Sequence, residues 1–279
     1  VEFLKTVGSR RSIRWFKTWQ TVSDEQIQRI LEAARMCTSP GNLQPWRAIV
    51  VKRDDLSDAD RDALLGADNW QGGHVQAPVW IYWFADPAAL TLESFVARTS
   101  ELLRAEASPL EFGWDIKRIE AAIDHGEEMP EGTAPIHEWS GLPIEIATAA
   151  AAQETNGAAV VAVLAATDMG LSTCLHMASK PSAGPKVKQI LGVPDHWHPV
   201  WVQLLGYAAE DPNGGGQRPR LPFDQLFFKN KYGSPFPRSD EVVEQMKDAG
   251  LIQPEAPAPN PTRREEHRNL ARMYGYPEA

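Results

Sequence analysis

Three cations and a hydroxyl fall within five residues at Arg10-Arg11-Ser12-Ile13-Arg14, in a chain whose net charge is -9. An extended or turning backbone sends successive side chains to alternate sides, so Arg10, Ser12 and Arg14 project together. On a helix Arg10 and Arg14 would still share a face, being four apart. Either backbone offers planar guanidinium forks and a hydroxyl to one small anion. A phosphate group suits that geometry, because arginine donates bidentately in a fixed plane. A solvated basic turn would use the same residues, so the rest of the chain has to decide. A second basic pair stands about 200 residues further on. Pro219 holds Arg218 extended, which puts Arg218 and Arg220 on one side. Convergence of both segments on one anion is the sharper expectation.

Other chemistry finds little support. No GxGxxG follows a strand, and there is no Walker loop, HExxH or GxSxG. His196-Trp197-His198 offers two imidazoles on one side of a strand without a third ligand, so no metal site is expected. Cys174 reads as packed, since a catalytic thiol needs a nearby base that the sequence does not show. Of the ten tryptophans, Trp70, Trp114 and Trp139 lie in less regular stretches, free to line a flat aromatic pocket. Core or interface packing is the ordinary role of each. A pI near 5.3 argues against nucleic acid or an anionic membrane as partner. Two cysteines without CxxC spacing and no signal-peptide run in residues 1–8 point to a reducing, cytoplasmic setting.

The elements that must position these residues follow from periodicity. Ser23 and Gln26 read as a capping box, and Ile27, Ile30, Leu31 and Ala34 give the helix that follows an inward face. The cluster Thr38-Ser39-Pro40-Gly41-Asn42 ends it near Met36, and Pro45 is expected to keep Gln44 extended. Strands are expected over 48–51, over 79–84 as a buried central strand, and over 199–205. Helices are expected over 56–65, irregularly over 88–124, and over 186–191. Residues 126–143, rich in Gly, Pro and acids, read as an exposed excursion. An alanine-rich helix spans 144–169, interrupted by Gln153, Glu154, Asn156 and Asp168, so it is a buried helix and not a membrane span. Its small side chains point to close helix–helix packing, within the core or between subunits. Gly214-Gly215-Gly216 is expected as a flexible loop. Residues 240–249 form a helix closed by Gly250. A proline-spaced linker then leads to a polar tail that wraps a partner surface or stays mobile.

In this order the pieces resemble the FMN-dependent nitroreductase family. The resemblance lies in Arg10 to Phe16, in Thr38 to Trp46 after Ala33-Ala34, and in Ala77-Pro78. It continues through Met169 to Cys174, Leu191-Gly192-Val193-Pro194, Leu205-Gly206-Tyr207 and Arg218-Pro219-Arg220. It implies an α+β fold, a mixed and mainly antiparallel sheet flanked by helices. It also implies a domain-swapped-style homodimer with a long central interface helix. FMN would sit at that interface, with NAD(P)H as co-substrate. By position, Arg10, Ser12 and Arg14 would hold the phosphate and ribityl chain, and Arg11 would lie close to the flavin. Arg218 or Arg220 would complete the phosphate site. Ser39, Pro40, Asn42 and Gln44 would approach from the partner subunit, and Leu175, His176 and Met177 would face the flavin edge, His176 through its backbone. Pro40, His176 and Met177 depart from the family's usual residues.

The implied division is a flavin-binding domain over 1–234, its 88–142 excursion capping the site, and an extension over 235–279. The implied reaction passes hydride from NAD(P)H to a nitroaromatic or quinone, with no catalytic side chain required. The resemblance also covers specialised members, namely reductive dehalogenases, flavin-cleaving enzymes and flavin-dependent dehydrogenases. A non-catalytic flavin-binding protein is the alternative from another class.

Overall fold

The computed structural model describes residues 3–68, 70–107, 143–177 and 184–276. Four strands make the sheet: β1 (Trp46–Lys52), β2 (Val79–Ala85), β3 (Ser172–Met177) and β4 (His198–Gly206). Their order is β1-β2-β4-β3, and each neighbouring pair is antiparallel. An isolated parallel bridge joins Ser12 to Thr173 on the open edge of β3. Ser172–Met177 carries just one β-branched residue and no strand signature of its own; pairing with β4 makes it a strand.

β2 is the central strand that its unbroken apolar run predicts, and all seven of its residues are buried. Trp80, Tyr82 and Phe84 face one layer, together with α3 (Asp58–Ala67) and α7 (Gly184–Leu191). Val79, Ile81 and Trp83 face the other, against α2 (Asp24–Arg35) and α6 (Ile144–Asp168). The predicted capping box opens α2: the Gln26 N–H donates to Ser23 Oγ, and the Ser23 N–H donates to Gln26 Oε1. In α6, Ala151, Ala158, Ala159, Ala162 and Ala166 have no exposure, so the helix lies tight on α2 and the sheet. Its opposite side leaves Ile146 and Val160 exposed. A short α1 (Phe3–Ser9), α4 (Gly72–Gln76) and α5 (Leu92–Arg104) complete this part. Residues 108–142, which carry Trp114, Trp139 and most of the predicted excursion, lie outside the described residues.

The C-terminal third corrects one expectation. Gly214 to Gly216 form a packed turn and not a flexible loop. All three have positive φ, and a Cβ on Gly216 would sit 2.7 Å from the Ala256 nitrogen, so only glycine fits there. The Asp211 carboxylate holds the turn by accepting from the Asn213 and Gly215 N–H groups. Beyond α8 (Phe223–Leu226) and α9 (Asp240–Asp248), the chain returns through α10 (Pro261–Met273) onto residues 8–16 of the same molecule. Tyr274 stacks on Trp15 with ring centroids 5.7 Å apart, and its hydroxyl donates to the Phe16 carbonyl at 2.6 Å. The tail has too few apolar residues for a core of its own, but enough polar side chains to satisfy that backbone.

Candidate functional site

Segment 10–14 alternates as an extended chain must. Arg11, Ile13 and Phe16 are buried, Arg10 and Ser12 are half-buried, and Arg14 is exposed. The segment is stitched to the sheet by Ile13 N–H to the Thr173 carbonyl (3.1 Å), Lys17 N–H to Tyr207 (2.9 Å) and Ala209 N–H to Trp15 (2.8 Å). Alternation separates Arg11 from its neighbours. Its guanidinium donates to the carbonyls of Gly8 (2.6 Å), Arg10 (3.0 Å) and Asn213 (2.8 Å), and to Gln253 Oε1 (2.7 Å). Arg11 is thus committed to its own chain, and the role near the cofactor expected for it has almost no donor left.

Arg10 is different. Among the described residues its side chain makes no hydrogen bond or ion pair, and the same holds for Arg218 and Arg220. Burial and then the Arg220 charge hold the Arg10 guanidinium below its ordinary pKa, with Cys174 opposing them. Arg11 is lowered by burial and then by Arg10, Arg218 and Arg220. The two segments, distant in sequence, therefore bring their guanidinium groups within electrostatic reach of one another. Arg10, half-buried without an acceptor and facing the exposed charge of Arg220, is in a position that an anion would relieve.

The turn after α2 is built in an uncommon backbone. Gly41, Asn42 and Gln44 all have positive φ. Gln44 is not extended before Pro45 as expected; its φ is 48°. The loop's own bonds determine this: Gln44 N–H to Ser39 Oγ (3.0 Å), Gln44 Nε2 to Asn42 Oδ1 (2.8 Å), and Arg47 Nη1 to the Gln44 carbonyl (3.0 Å). Two non-glycine residues in the left-handed region are the kind of local strain that collects at functional turns. Pro40 opens a 3₁₀ turn over Pro40–Asn42. The loop feeds β1, whereas Leu175–Met177 ends β3 at the same end of the sheet but on the opposite edge. Three strand spacings, about 14 Å, separate the two edges.

At that end of β3, Leu175 packs on the α6 layer, Met177 is exposed, and the His176 imidazole turns to the other layer. There a buried network appears that the sequence did not reveal. Asp68 Oδ2 lies 3.0 Å from His74 Nδ1 and 3.4 Å from His176 Nδ1, and His74 Nε2 lies 3.3 Å from the Tyr82 hydroxyl. Burial alone would lower the His176 pKa, but the bonds to Asp68 and Cys174 outweigh it and raise it to about 9. No short-range motif links these residues, which come from a loop, a short helix and two strands. His196 approaches Asp86 at 3.4 Å, and among the described residues no group of histidines, cysteines and carboxylates could hold a metal ion. Trp70 is exposed, on a backbone with φ of 53°.

A four-stranded antiparallel sheet between helical layers, with two basic segments near the β3 edge, defines an α+β protein. The chain belongs to the nitroreductase family, whose model matches residues 7–207. An NADPH-dependent oxidoreductase of Staphylococcus haemolyticus is 35% identical over 82 residues, covering 29% of this chain and 32% of that protein. The chain thus spans about a third of that curated relative's length. Among solved structures, a nitroreductase family protein from Streptococcus pneumoniae is 20% identical, covering 82% of this chain and all of the other, with a TM-score of 0.58. The NADPH:FMN oxidoreductase of Vibrio harveyi complexed with NAD+ is 18% identical, covering 88% of this chain and 84% of the other, with a TM-score of 0.56. These two establish the fold. Among the described residues no helix is long and apolar enough to cross a membrane.

Proposed function

We propose that this chain is an FMN-dependent oxidoreductase in which Arg10, Ser12 and Arg14 hold the phosphate and ribityl chain, completed by Arg218 or Arg220. The observation that carries this reading is the half-buried Arg10 guanidinium, repelled by that of Arg220 from a distant segment, with Arg10, Arg218 and Arg220 all lacking protein acceptors among the described residues. That donor set fits a phosphate monoester, whose dianion accepts several charge-assisted bonds at once. The oxidoreductase names of the relatives support the same reading. When bound, FMN supplies hydride acceptance from NAD(P)H and hydride delivery to a flat electrophile such as a nitroaromatic or quinone. The chain's own residues bind, orient and shield. Arginines fix one end of the cofactor, and the Leu175–Met177 end of β3, backed by the His176–Asp68 pair, offers a rigid edge for the other.

The homodimer belongs to the same proposal. Within one chain, Ser39, Pro40, Asn42 and Gln44 lie on the sheet edge opposite β3, and the outer side of α6 presents exposed apolar residues. A second copy packed on α6 would bring its 38–46 turn to the β3 edge and complete the site. The excursion over 88–142 would cap it, and a cytoplasmic setting agrees with the free Cys37 and Cys174.

The test is direct. Purified protein is expected to be yellow, with one FMN per chain, and to bleach anaerobically with NADH or NADPH until a quinone or nitroaromatic restores the colour. Colourless protein that FMN cannot reconstitute would sink the reading. Bound flavin that neither nicotinamide reduces would leave a flavin-binding protein without this activity.

A further inference from the structure

We propose that residues 208–276, which lie beyond the family match, act in cis as a clamp that sets the geometry of the arginine segment for phosphate. The inference rests on the reading of that segment as a phosphate site.

Glu210 is the centre of the clamp. Its side chain is almost wholly buried, and Oε1 accepts the backbone N–H groups of Arg14 and, at 3.1 Å, Trp15. Its Oε2 pairs with Arg263 of α10 and lies 3.4 Å from His267 Nε2. A carboxylate buried beside converging arginines would ordinarily neutralise them and compete with a bound anion. Here its charge is matched by a cation from the extension, and its remaining oxygen is spent on backbone. The flanking guanidinium groups are left for a ligand.

A second grip acts through Arg11. Gln253 Oε1 accepts from Arg11 Nη2, and Gln253 is itself fixed, its Nε2 donating to the Gly250 carbonyl (2.9 Å) and its N–H to Gln217 Oε1 (3.2 Å). Gln217 Nε2 donates in turn to the carbonyls of Leu251 (2.9 Å) and Gly8 (3.3 Å). The approach there is so close that a Cβ on Gly8 would fall 2.0 Å from the Gly250 oxygen. Gln217 also bridges Glu255 and immediately precedes Arg218-Pro219-Arg220. One set of contacts therefore fixes the backbone of segment 8–16 and the root of the second basic pair together. Tyr274, bonded to the Phe16 carbonyl, closes the far end.

The experiment compares FMN with riboflavin, which lacks the phosphate, by titrating flavin fluorescence against the full chain after removal of bound flavin. Gln253→Ala removes one of the two bonds that tie Arg11 to residues 208–276, the Asn213 carbonyl keeping the other. Tyr274→Phe removes one oxygen while keeping the ring on Trp15. Gln253→Ala is expected to weaken FMN about tenfold, the scale of one charge-assisted hydrogen bond, and to leave riboflavin within about twofold of the parent. Tyr274→Phe is expected to show the same selectivity at about threefold. Equal losses for both flavins would mark a general structural role and overturn the inference, as would unchanged FMN affinity in both variants. A parent protein that binds the two flavins equally would overturn the phosphate reading itself, and this inference with it.

Discussion

The segments Arg10–Arg14 and Arg218–Arg220 carry like charges but are held in different ways. The first lies along β3, its backbone bound to Thr173 and Glu210, with all but one N–H of one of its arginines spent on internal bonds. The second leaves a packed glycine turn and stands exposed, without a side-chain bond among the described residues. Ordering of the first is completed on folding, while ordering of the second is left for binding. A preformed donor gives more net affinity than one that must be immobilised by its ligand.

The largest test of that contrast removes the wiring. Arg263→Ala leaves Glu210 as an uncompensated buried charge under the first segment, and urea denaturation is expected to show a loss of about 3–5 kcal/mol. Stability within about 1 kcal/mol of the parent would show that the grip is weak. Next comes Arg10→Ala, which is expected to weaken FMN about 100-fold without a comparable fall in melting temperature. Arg220→Ala, acting on the exposed segment, is expected to cost only about tenfold. If the Arg220 effect equalled or exceeded that of Arg10, the contrast between preformed and adaptable donors would collapse.

The smallest effect tests the strand beneath the first segment. His176 has its pKa raised to about 9, because Asp68 and Cys174 outweigh the effect of burial. The resulting stabilisation is complete below the ordinary histidine value, near 6.5, and is lost as pH rises through about 9. Discounted for partial solvent screening, about 1 kcal/mol should disappear across that window in the apo-protein, and Asp68→Asn should flatten the profile. A parent profile already flat over the window would remove the His176–Asp68 pair from the account.

Sequence periodicity made the layers legible. The buried run of β2, the capping box of α2 and the small residues of α6 each have a local cause, and each element stands within a few residues of where that cause puts it. Ordered motifs carried the family, and alternation separated Arg10, Ser12 and Arg14 from Ile13. Alternation also turned Arg11 inward, a consequence that position within the motif concealed. What could not be read was non-local. Asp68, His74, Tyr82 and His176 meet only through sheet pairing and a loop, and Glu210 gains its partner from α10. Gln44 shows a local rule overridden: proline disfavours the right-handed helical region before it, but the bonds to Ser39 and Asn42 selected the left-handed one instead of extended chain.

The bonds from Arg11 to Gln253 and from Tyr274 to Phe16 join residues 242 and 258 positions apart. Such contacts form late, because a long loop must close before they return any free energy. During synthesis, residues 8–16 leave the ribosome long before their partners exist. They wait with apolar Ile13 and Phe16 beside uncovered guanidinium groups. Completion of the proposed phosphate site is thereby tied to completion of the extension, so cofactor loading would follow translation instead of accompanying it.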